Sequence, residues 1–141
     1  MGPYRSPTPV NSNHDKGKTI LCVDDEATGL QVRRMLLESQ GYAVITAENG
    51  PVALEVLSTQ NLDLVVLDYA MPGMDGDLVA QKMKEIRPDL PIIMLSAYVD
   101  LPQQTLALVE RSLTKGESPG VLLDSIAQLL SNGRNISQAT A

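Results

Sequence analysis

The sequence predicts an α/β protein, a doubly wound sheet of five parallel strands with helices on both faces. Two observations lead to this prediction. Between residues 18 and 130, short apolar runs alternate five times with segments of helical spacing. Most of these runs are continuously apolar, which is typical of strands buried on both faces. Strands separated by helices are joined by right-handed crossovers, and such connections produce a parallel sheet.

The 141 residues are enough for one domain. Residues 1–17 are rich in Pro, Ser, Asn and charge and lack apolar periodicity, so we expect a flexible N-terminal extension. Residues 131–141 are polar and are expected to form a flexible C-terminal tail, which leaves 18–130 as the folded domain. Phe and Trp are absent, so the core is expected to be aliphatic.

Five apolar runs are predicted to form the strands, and the last of them is the weakest. In chain order they are Ile20 to Val23, Ala43 to Thr46, Leu62 to Leu67, Pro91 to Leu95, and Ser112 to Thr114. The first four are short and largely continuous. They are therefore expected to be buried on both faces of the sheet.

Residues spaced by three or four positions predict the helices and the faces that pack on the sheet. They are Val32, Met35 and Leu36; Ala53, Leu54 and Leu57; Val79, Met83 and Ile86; and Leu122, Ile126, Leu129 and Leu130. Gly41 and Pro88 are placed to end the first and third helices, and Pro51 suits a first helical position. Ser118-Pro119 gives the last helix an N-cap followed by proline. The fourth helix, between Val99 and Val109, contains a proline and is expected to be short or irregular.

Polar residues follow the apolar runs and are expected to meet at one edge of the sheet. The first run ends at Asp24 and Asp25, the third at Asp68, the fourth at Ser96 and the fifth at Lys115. In an open parallel sheet, ligands bind at the carboxyl ends of the strands, near the switch in strand order. These five side chains, distant in sequence, are therefore the candidate functional site.

The three carboxylates in this set predict a divalent cation. Asp24, Asp25 and Asp68 repel one another in a small cleft, and a hard cation such as Mg²⁺, or Mn²⁺ in its place, removes that penalty. A carboxylate beside the metal can act as a nucleophile toward phosphorus. Lys115 would supply a second positive charge, and Ser96 a hydrogen bond to a phosphoryl oxygen.

Composition narrows the class of partner and the location. The formal net charge of −6 argues against a nucleic-acid partner, which needs a basic surface. The single cysteine, Cys22, excludes an internal disulfide and is expected to be a small buried apolar residue. The sequence has neither a signal peptide nor an apolar stretch long enough to span a bilayer, so we expect a cytoplasmic protein without membrane contact.

Four segments, taken in order, resemble the receiver domain of response regulators. They are residues 20–26 (ILCVDDE), 64–76 (LVVLDYAMPGMDG), 91–97 (PIIMLSA) and 113–115 (LTK). The resemblance covers roughly residues 18 to 130. It implies a flavodoxin-like sheet with strand order 2-1-3-4-5. It also implies a receiver domain of the stand-alone, single-domain type.

The resemblance also implies a role for each residue of the metal site. Asp68 accepts the phosphoryl group and is itself a ligand of Mg²⁺. Asp25 binds the metal directly, and Asp24 helps through water or as a ligand. The backbone carbonyl of Ala70 completes the protein ligands.

The resemblance further implies that Ser96 moves toward the phosphoryl group and that Lys115 pairs with it. The donor is a phosphohistidine on a sensor histidine kinase or a histidine phosphotransfer protein, and the signal passes to a downstream protein target that the sequence does not name. Two departures concern this switch. Gly116 follows Lys115 where the family has a cis proline, and Ser112 stands where it has an aromatic switch residue. Tyr98 is a candidate substitute for that aromatic residue.

The expected function is that of a phosphoacceptor signalling domain in a two-component phosphorelay, not an enzyme. One alternative is a receiver-like interaction module that is never phosphorylated, which the altered switch region favours. The other is a haloacid-dehalogenase-type phosphatase, whose signature needs a second Asp two positions after the first. Ala70 occupies that position, so the general acid of such a phosphatase is missing.

Overall fold

The structure is a computed structural model that describes residues 17–97 and 100–140, with the backbone alone for 132–140. The strands are β1 Thr19–Val23, β2 Ala43–Ala47, β3 Leu64–Asp68, β4 Ile92–Ser96 and β5 Arg111–Thr114. The helices are α1 Ala27–Ser39, α2 Gly50–Thr59, α3 Gly76–Ile86, α4 Gln103–Leu106 and α5 Pro119–Thr140. All strand pairs are parallel, and the order in the sheet is β2-β1-β3-β4-β5. The predicted fold class and strand order are confirmed.

Two aliphatic cores cover the faces of the sheet. Alternate residues of a strand point to opposite faces, so Leu21 and Val23 pack with α2 and α3, whereas Ile20 and Cys22 pack with α1 and α5. The central strands β1, β3 and β4 are buried along almost their whole length. At the edge of the sheet, β2 is only partly buried because it pairs with β1 alone, so its predicted burial on both faces is wrong.

The boundaries of the helices follow the predicted signals. Gly41 adopts a φ of 96° just after α1, a left-handed conformation that glycine tolerates. α2 begins one residue before Pro51, with Asn49 as its N-cap accepting a hydrogen bond from the Val52 N–H at 2.8 Å. α3 ends before Pro88, α5 begins at Pro119, and the four-residue α4 is as short as predicted.

The predicted inner face of α1 is wrong. Val32 and Met35 are 61% and 60% exposed, whereas Leu30 and Leu37 are buried against the sheet. Leu30 and Leu37 are seven residues apart, two helical turns, and so form a stripe neighbouring the predicted one. Apolar content does not distinguish the two stripes. In α3, Ile86 likewise lies 50% exposed although Val79 and Met83 are buried as predicted.

The predicted division of the chain into extension, domain and tail stays a prediction. Residues 1–16 of the expected extension lie outside the described residues. The backbone of α5 runs through the segment expected to be a tail, as far as Thr140. Within the described part of the chain, no helix combines the length and the apolar character needed to cross a membrane.

Candidate functional site

The register of the central strands places two aspartates side by side. Val23 of β1 pairs with Leu67 of β3, so the residues that follow, Asp24 and Asp68, are neighbours at the carboxyl end of the sheet. β2 lies on one side of β1, and β3 lies on the other. The chain therefore changes direction across the sheet at this point, and such a switch opens a crevice in which ligands bind.

Ser96 and Lys115 lie at the same edge of the sheet. Ser96 is the last residue of β4 and pairs with Thr114 of β5, and the Lys115 N–H donates to the Ser96 carbonyl at 2.8 Å. Ser96 is 1% exposed, and the Lys115 side chain is 35% exposed. Ala70 lies exposed in the loop between β3 and α3, two residues after Asp68. The fold thus brings the predicted site residues to one end of the sheet.

The three predicted carboxylates form one cluster. Asp24, Asp25 and Asp68 each offer an oxygen, and these oxygens all lie within 4.8 Å of one another. Asp24 and Asp68 are each 2% exposed, whereas Asp25 faces solvent. A compact set of carboxylate oxygens, open on one side, is the donor set of a hard divalent cation that keeps several of its waters. The residues present therefore fit such an ion.

Lys115 partly neutralises the cluster. Its Nζ lies 3.0 Å from Asp68 Oδ1 and 3.6 Å from Asp24 Oδ2. The other oxygen of Asp24, Oδ1, accepts a hydrogen bond from the Glu26 N–H at 3.0 Å. The ammonium group is therefore shared by two buried carboxylates, and Asp24 is held on both of its oxygens.

The two buried aspartates have pKa values displaced in opposite directions. Burial raises the pKa of Asp68 to about 6; the charge of Asp24 adds to the rise, and Lys115 opposes it. Burial alone would also raise the pKa of Asp24. The Glu26 N–H and the charges of Lys115 and Arg33 outweigh that effect, so the pKa of Asp24 lies below its ordinary value. Asp24 is thus the fixed anion of the cluster, and Asp68 is the carboxylate whose charge is costly when the cluster holds no metal.

Arg33 is a site residue that the sequence reasoning missed. Its Nη1 lies 3.3 Å from Asp24 Oδ2, and its side chain is 14% exposed. A signal for it exists in the sequence, because Arg33 lies three residues after Leu30 and four before Leu37. An arginine on the buried stripe of a helix needs an acidic partner. If Val32 and Met35 form the inner face, Arg33 lies next to that face and not on it.

The altered switch region is only partly described. Ser112 is exposed on β5, and the peptide bond between Lys115 and Gly116 is trans, as is every peptide bond of the described residues. Tyr98, the candidate aromatic substitute, lies outside the described residues. Ser96 and Lys115 therefore lie at the end of the sheet without an aromatic side chain at residue 112.

Comparison with known proteins gives a consistent result. Residues 20–127 match the response regulator receiver domain family. The phosphate regulon transcriptional regulatory protein PhoB of Pseudomonas aeruginosa is 43% identical over 119 residues, which is 81% of this chain and 52% of PhoB. The transcriptional regulatory protein GlrR of Escherichia coli is 36% identical over 88 residues, 62% of this chain and 20% of GlrR. The chain thus spans between a fifth and about half of the length of these curated relatives.

Solved structures give the same picture. The response regulator TrrA of Thermotoga maritima, in complex with Mg²⁺-BeF, has a TM-score of 0.74 at 34% identity, covering 79% of this chain and 98% of TrrA. TrrA in complex with the histidine kinase ThkA has a TM-score of 0.75 at 34% identity, covering 80% of this chain and 98% of that one. These similarities extend over nearly the whole of the solved TrrA chain.

Proposed function

The chain belongs to the response regulator receiver domain family, and we propose that it accepts a phosphoryl group on Asp68 in a Mg²⁺-dependent phosphorelay. The observation that carries the proposal is the convergence of Asp24, Asp25 and Asp68 within 4.8 Å. Lys115 lies 3.0 Å from one of the three, Asp68. Asp68 is the last residue of the central strand β3, and Lys115 lies nearer to its carboxylate, at 3.0 Å, than to that of Asp24, at 3.6 Å.

Asp68 is the nucleophile in this proposal. One of its carboxylate oxygens forms a bond to phosphorus as the bond between phosphorus and the donor's histidine nitrogen breaks. The electron pair of that broken bond returns to the imidazole ring. The product is an aspartyl phosphate, so the group that arrives is stored at the end of β3.

The residues that would hold Mg²⁺, or Mn²⁺, are Asp24, Asp25, Asp68 and the backbone carbonyl of Ala70. When bound, the cation neutralises the cluster and stabilises negative charge on the phosphoryl oxygens. Lys115 would contribute a second positive charge on the side of β5. TrrA has been crystallised with Mg²⁺-BeF, which supports this assignment for a relative 34% identical to this chain.

Phosphorylation is expected to shift an existing equilibrium between two conformations. The phosphoryl group adds negative charge and acceptor oxygens. Ser96 is assigned the hydrogen bond to one of these oxygens, and Lys115 the ion pair. The readout is a change in protein contacts, so we expect no sustained turnover of free substrate.

The proposed partners are proteins. A sensor histidine kinase or a histidine phosphotransfer protein would supply the phosphoryl group, and a downstream protein would receive the signal. The complex of TrrA with the kinase ThkA supports the first of these. The net charge of −6 argues against nucleic acid, and we place the protein in the cytoplasm without membrane contact.

The test uses acetyl phosphate with Mg²⁺ and intact-protein mass spectrometry. The full chain is expected to gain the mass of one phosphoryl group only when Mg²⁺ is present, with the modified peptide containing Asp68. Asp68→Asn should abolish the gain, whereas Asp89→Asn, an exposed aspartate before β4, should not. Labelling that persists on Asp68→Asn refutes the assignment of the acceptor.

A full chain that gains no mass at millimolar donor favours an interaction module that is never phosphorylated. Steady hydrolysis of a phosphomonoester favours the phosphatase. The three functions therefore give three different results in one set of assays.

A further inference from the structure

Arg33 of α1 brings a second cation to the acidic cluster. Its Nη1 lies 3.3 Å from Asp24 Oδ2, and its side chain is 14% exposed. The next residue, Arg34, is 44% exposed and pairs with Glu38 on the outer surface of the same helix. The two adjacent arginines thus lie in different environments: Arg33 contacts the acidic cluster, and Arg34 lies on the solvent-exposed surface.

Asp24 is fully engaged in the metal-free cluster. Oδ1 accepts from the Glu26 N–H, while Oδ2 faces both Arg33 and, at 3.6 Å, Lys115. A cation that takes an oxygen of Asp24 must therefore share it with the guanidinium group or displace that group. The guanidinium group is a cation, so it repels a divalent cation that approaches the same carboxylate oxygen.

We propose that Arg33 competes with the divalent cation for Asp24 and so weakens metal binding by this domain. The inference rests on the proposed function, because it takes Asp24 as part of the metal site. Arg33 is a positioning residue, since it acts through Asp24. A unit charge about 6 Å from a divalent ion, at a dielectric near that of water, changes the ion's affinity by on the order of tenfold.

The structure also contains a cavity into which the Arg33 side chain can move when a cation binds. Arg33 lines a cavity of about 310 Å³ whose walls include Leu36 of α1 and Leu122 of α5. An arginine stem packs well on such apolar walls while its charged head moves. Glu117 lines the same cavity and offers a carboxylate as an alternative partner. The guanidinium can therefore leave Asp24 without becoming an unpaired charge.

The test is isothermal titration of MgCl₂ into the full chain, without any phosphoryl donor. Arg33→Gln is expected to bind Mg²⁺ about tenfold more tightly than the wild type, and Arg33→Lys to stay near the wild-type dissociation constant because it keeps the charge. Arg34→Gln is the matched control, since it makes the same change in net charge at the next residue. It should leave the dissociation constant within about twofold, because its charge is exposed and screened.

If Arg33→Gln binds Mg²⁺ no more tightly than the wild type, Arg33 does not compete with the metal. If Arg33→Gln and Arg34→Gln tighten Mg²⁺ binding equally, the effect comes from net charge and not from the contact with Asp24. Absence of Mg²⁺ binding in every variant overturns the metal site together with the inference. Binding that is the same in wild type and Arg33→Gln overturns the inference alone.

A second measurement needs no folded variant of Arg33→Gln. In ¹H–¹⁵N spectra of the wild-type protein, the Nε–H resonance of Arg33 should shift on addition of MgCl₂, and that of Arg34 should not. An Arg33 resonance that stays in place while the amides of residues 24 and 68 respond to the metal contradicts displacement.

Discussion

Lys115 Nζ lies 3.0 Å from Asp68 Oδ1, and this ion pair joins the ends of β5 and β3 across β4. The contact holds a cation against Asp68, whose pKa burial raises to about 6. Because the Lys115 N–H also donates to the Ser96 carbonyl, its backbone is fixed in register with β4. A charge placed so firmly can act on a phosphoryl group without reorganising first.

Lys115→Met should slow phosphorylation of Asp68, because it keeps an apolar stem of similar length and removes the charge. Loss of one preorganised electrostatic contact typically costs on the order of a hundredfold in rate. The measurement is the initial rate of mass gain with acetyl phosphate and Mg²⁺. Lys82→Met, which changes an exposed lysine on α3, is the control and should label like the wild type. Equal rates for the two variants would remove Lys115 from the phosphoryl site.

The stability of the metal-free protein should depend on the protonation of Asp68. Its folded-state pKa of about 6 lies above the ordinary 3.8, so the folded protein binds this proton more tightly than the unfolded chain. The stability gained in this way is complete below about pH 3.8 and is lost as pH rises through about 6. Asp68→Asn has no such loss, so at pH 7 it should exceed the wild type by about 3 kcal/mol in free energy of unfolding.

Urea denaturation in EDTA at about pH 4 and pH 7 measures this difference. It should be present at pH 7 and small at pH 4. Asp24 does not reverse the result, because its pKa lies below the ordinary value and its contribution changes only under more acidic conditions. A difference of the same size at both pH values would show that the carboxylate charge is not its source.

The sheet and the site could be predicted from sequence because both depend on the ends of apolar runs. In a parallel sheet every carboxyl end lies at one edge, so the chemistry of Asp24, Asp68, Ser96 and Lys115 converges whatever the details of packing. The residue that lies at each strand end then follows from where each apolar run stops. These features depend on local sequence, so an error in predicting a helix face does not affect their prediction.

The inner face of α1 could not be predicted in the same way. Val32 and Met35 lie on one stripe and Leu30 and Leu37 on another, and both stripes recur at helical spacing. Only the orientation of the helix on the sheet selects between them, and that depends on packing with distant residues. Arg33 was missed for this reason, since its role is visible only once its stripe is known to face Asp24.

Gly76 is predicted to be required for the geometry of the loop that follows Asp68. A Cβ at Gly76 would lie 2.5 Å from the Asp68 carbonyl oxygen and 2.7 Å from the Tyr69 Cα, both backbone atoms at the end of β3. Gly76→Ala should therefore cost about 1 to 3 kcal/mol in free energy of unfolding and slow labelling of Asp68.

Gly120→Ala is the matched control for this prediction. Gly120 lies in the first turn of α5, and a Cβ there would meet nothing within 4 Å. Because alanine is the better helix former, the control should be neutral or more stable by up to about 1 kcal/mol. Thermal unfolding of both variants tests this prediction. Similar changes in the free energy of unfolding for the two variants would mean that the atoms around Gly76 can move to accommodate a Cβ.

Glu110 is predicted to hold the opposite end of the sheet together. Its Oε1 accepts from the Ile92 N–H at 2.8 Å, and its carboxylate pairs with Lys84 at 2.9 Å. Glu110→Ala leaves the N–H of a buried residue without this acceptor and should cost about 1 to 3 kcal/mol in free energy of unfolding.

Glu110→Gln separates the two contributions, because it keeps an acceptor for Ile92 and removes only the ion pair with Lys84. With side chains 19% and 38% exposed, that pair is worth about 1 kcal/mol or less, so the glutamine variant should be the milder one. Glu38→Ala removes the fully surface pair with Arg34 and should cost at most about 0.5 kcal/mol. Urea denaturation at pH 7 ranks the three variants. If Glu110→Ala were no more costly than Glu38→Ala, the Ile92 N–H would have another partner in solution, and Glu110 would not be what joins β4 to β5 at this end.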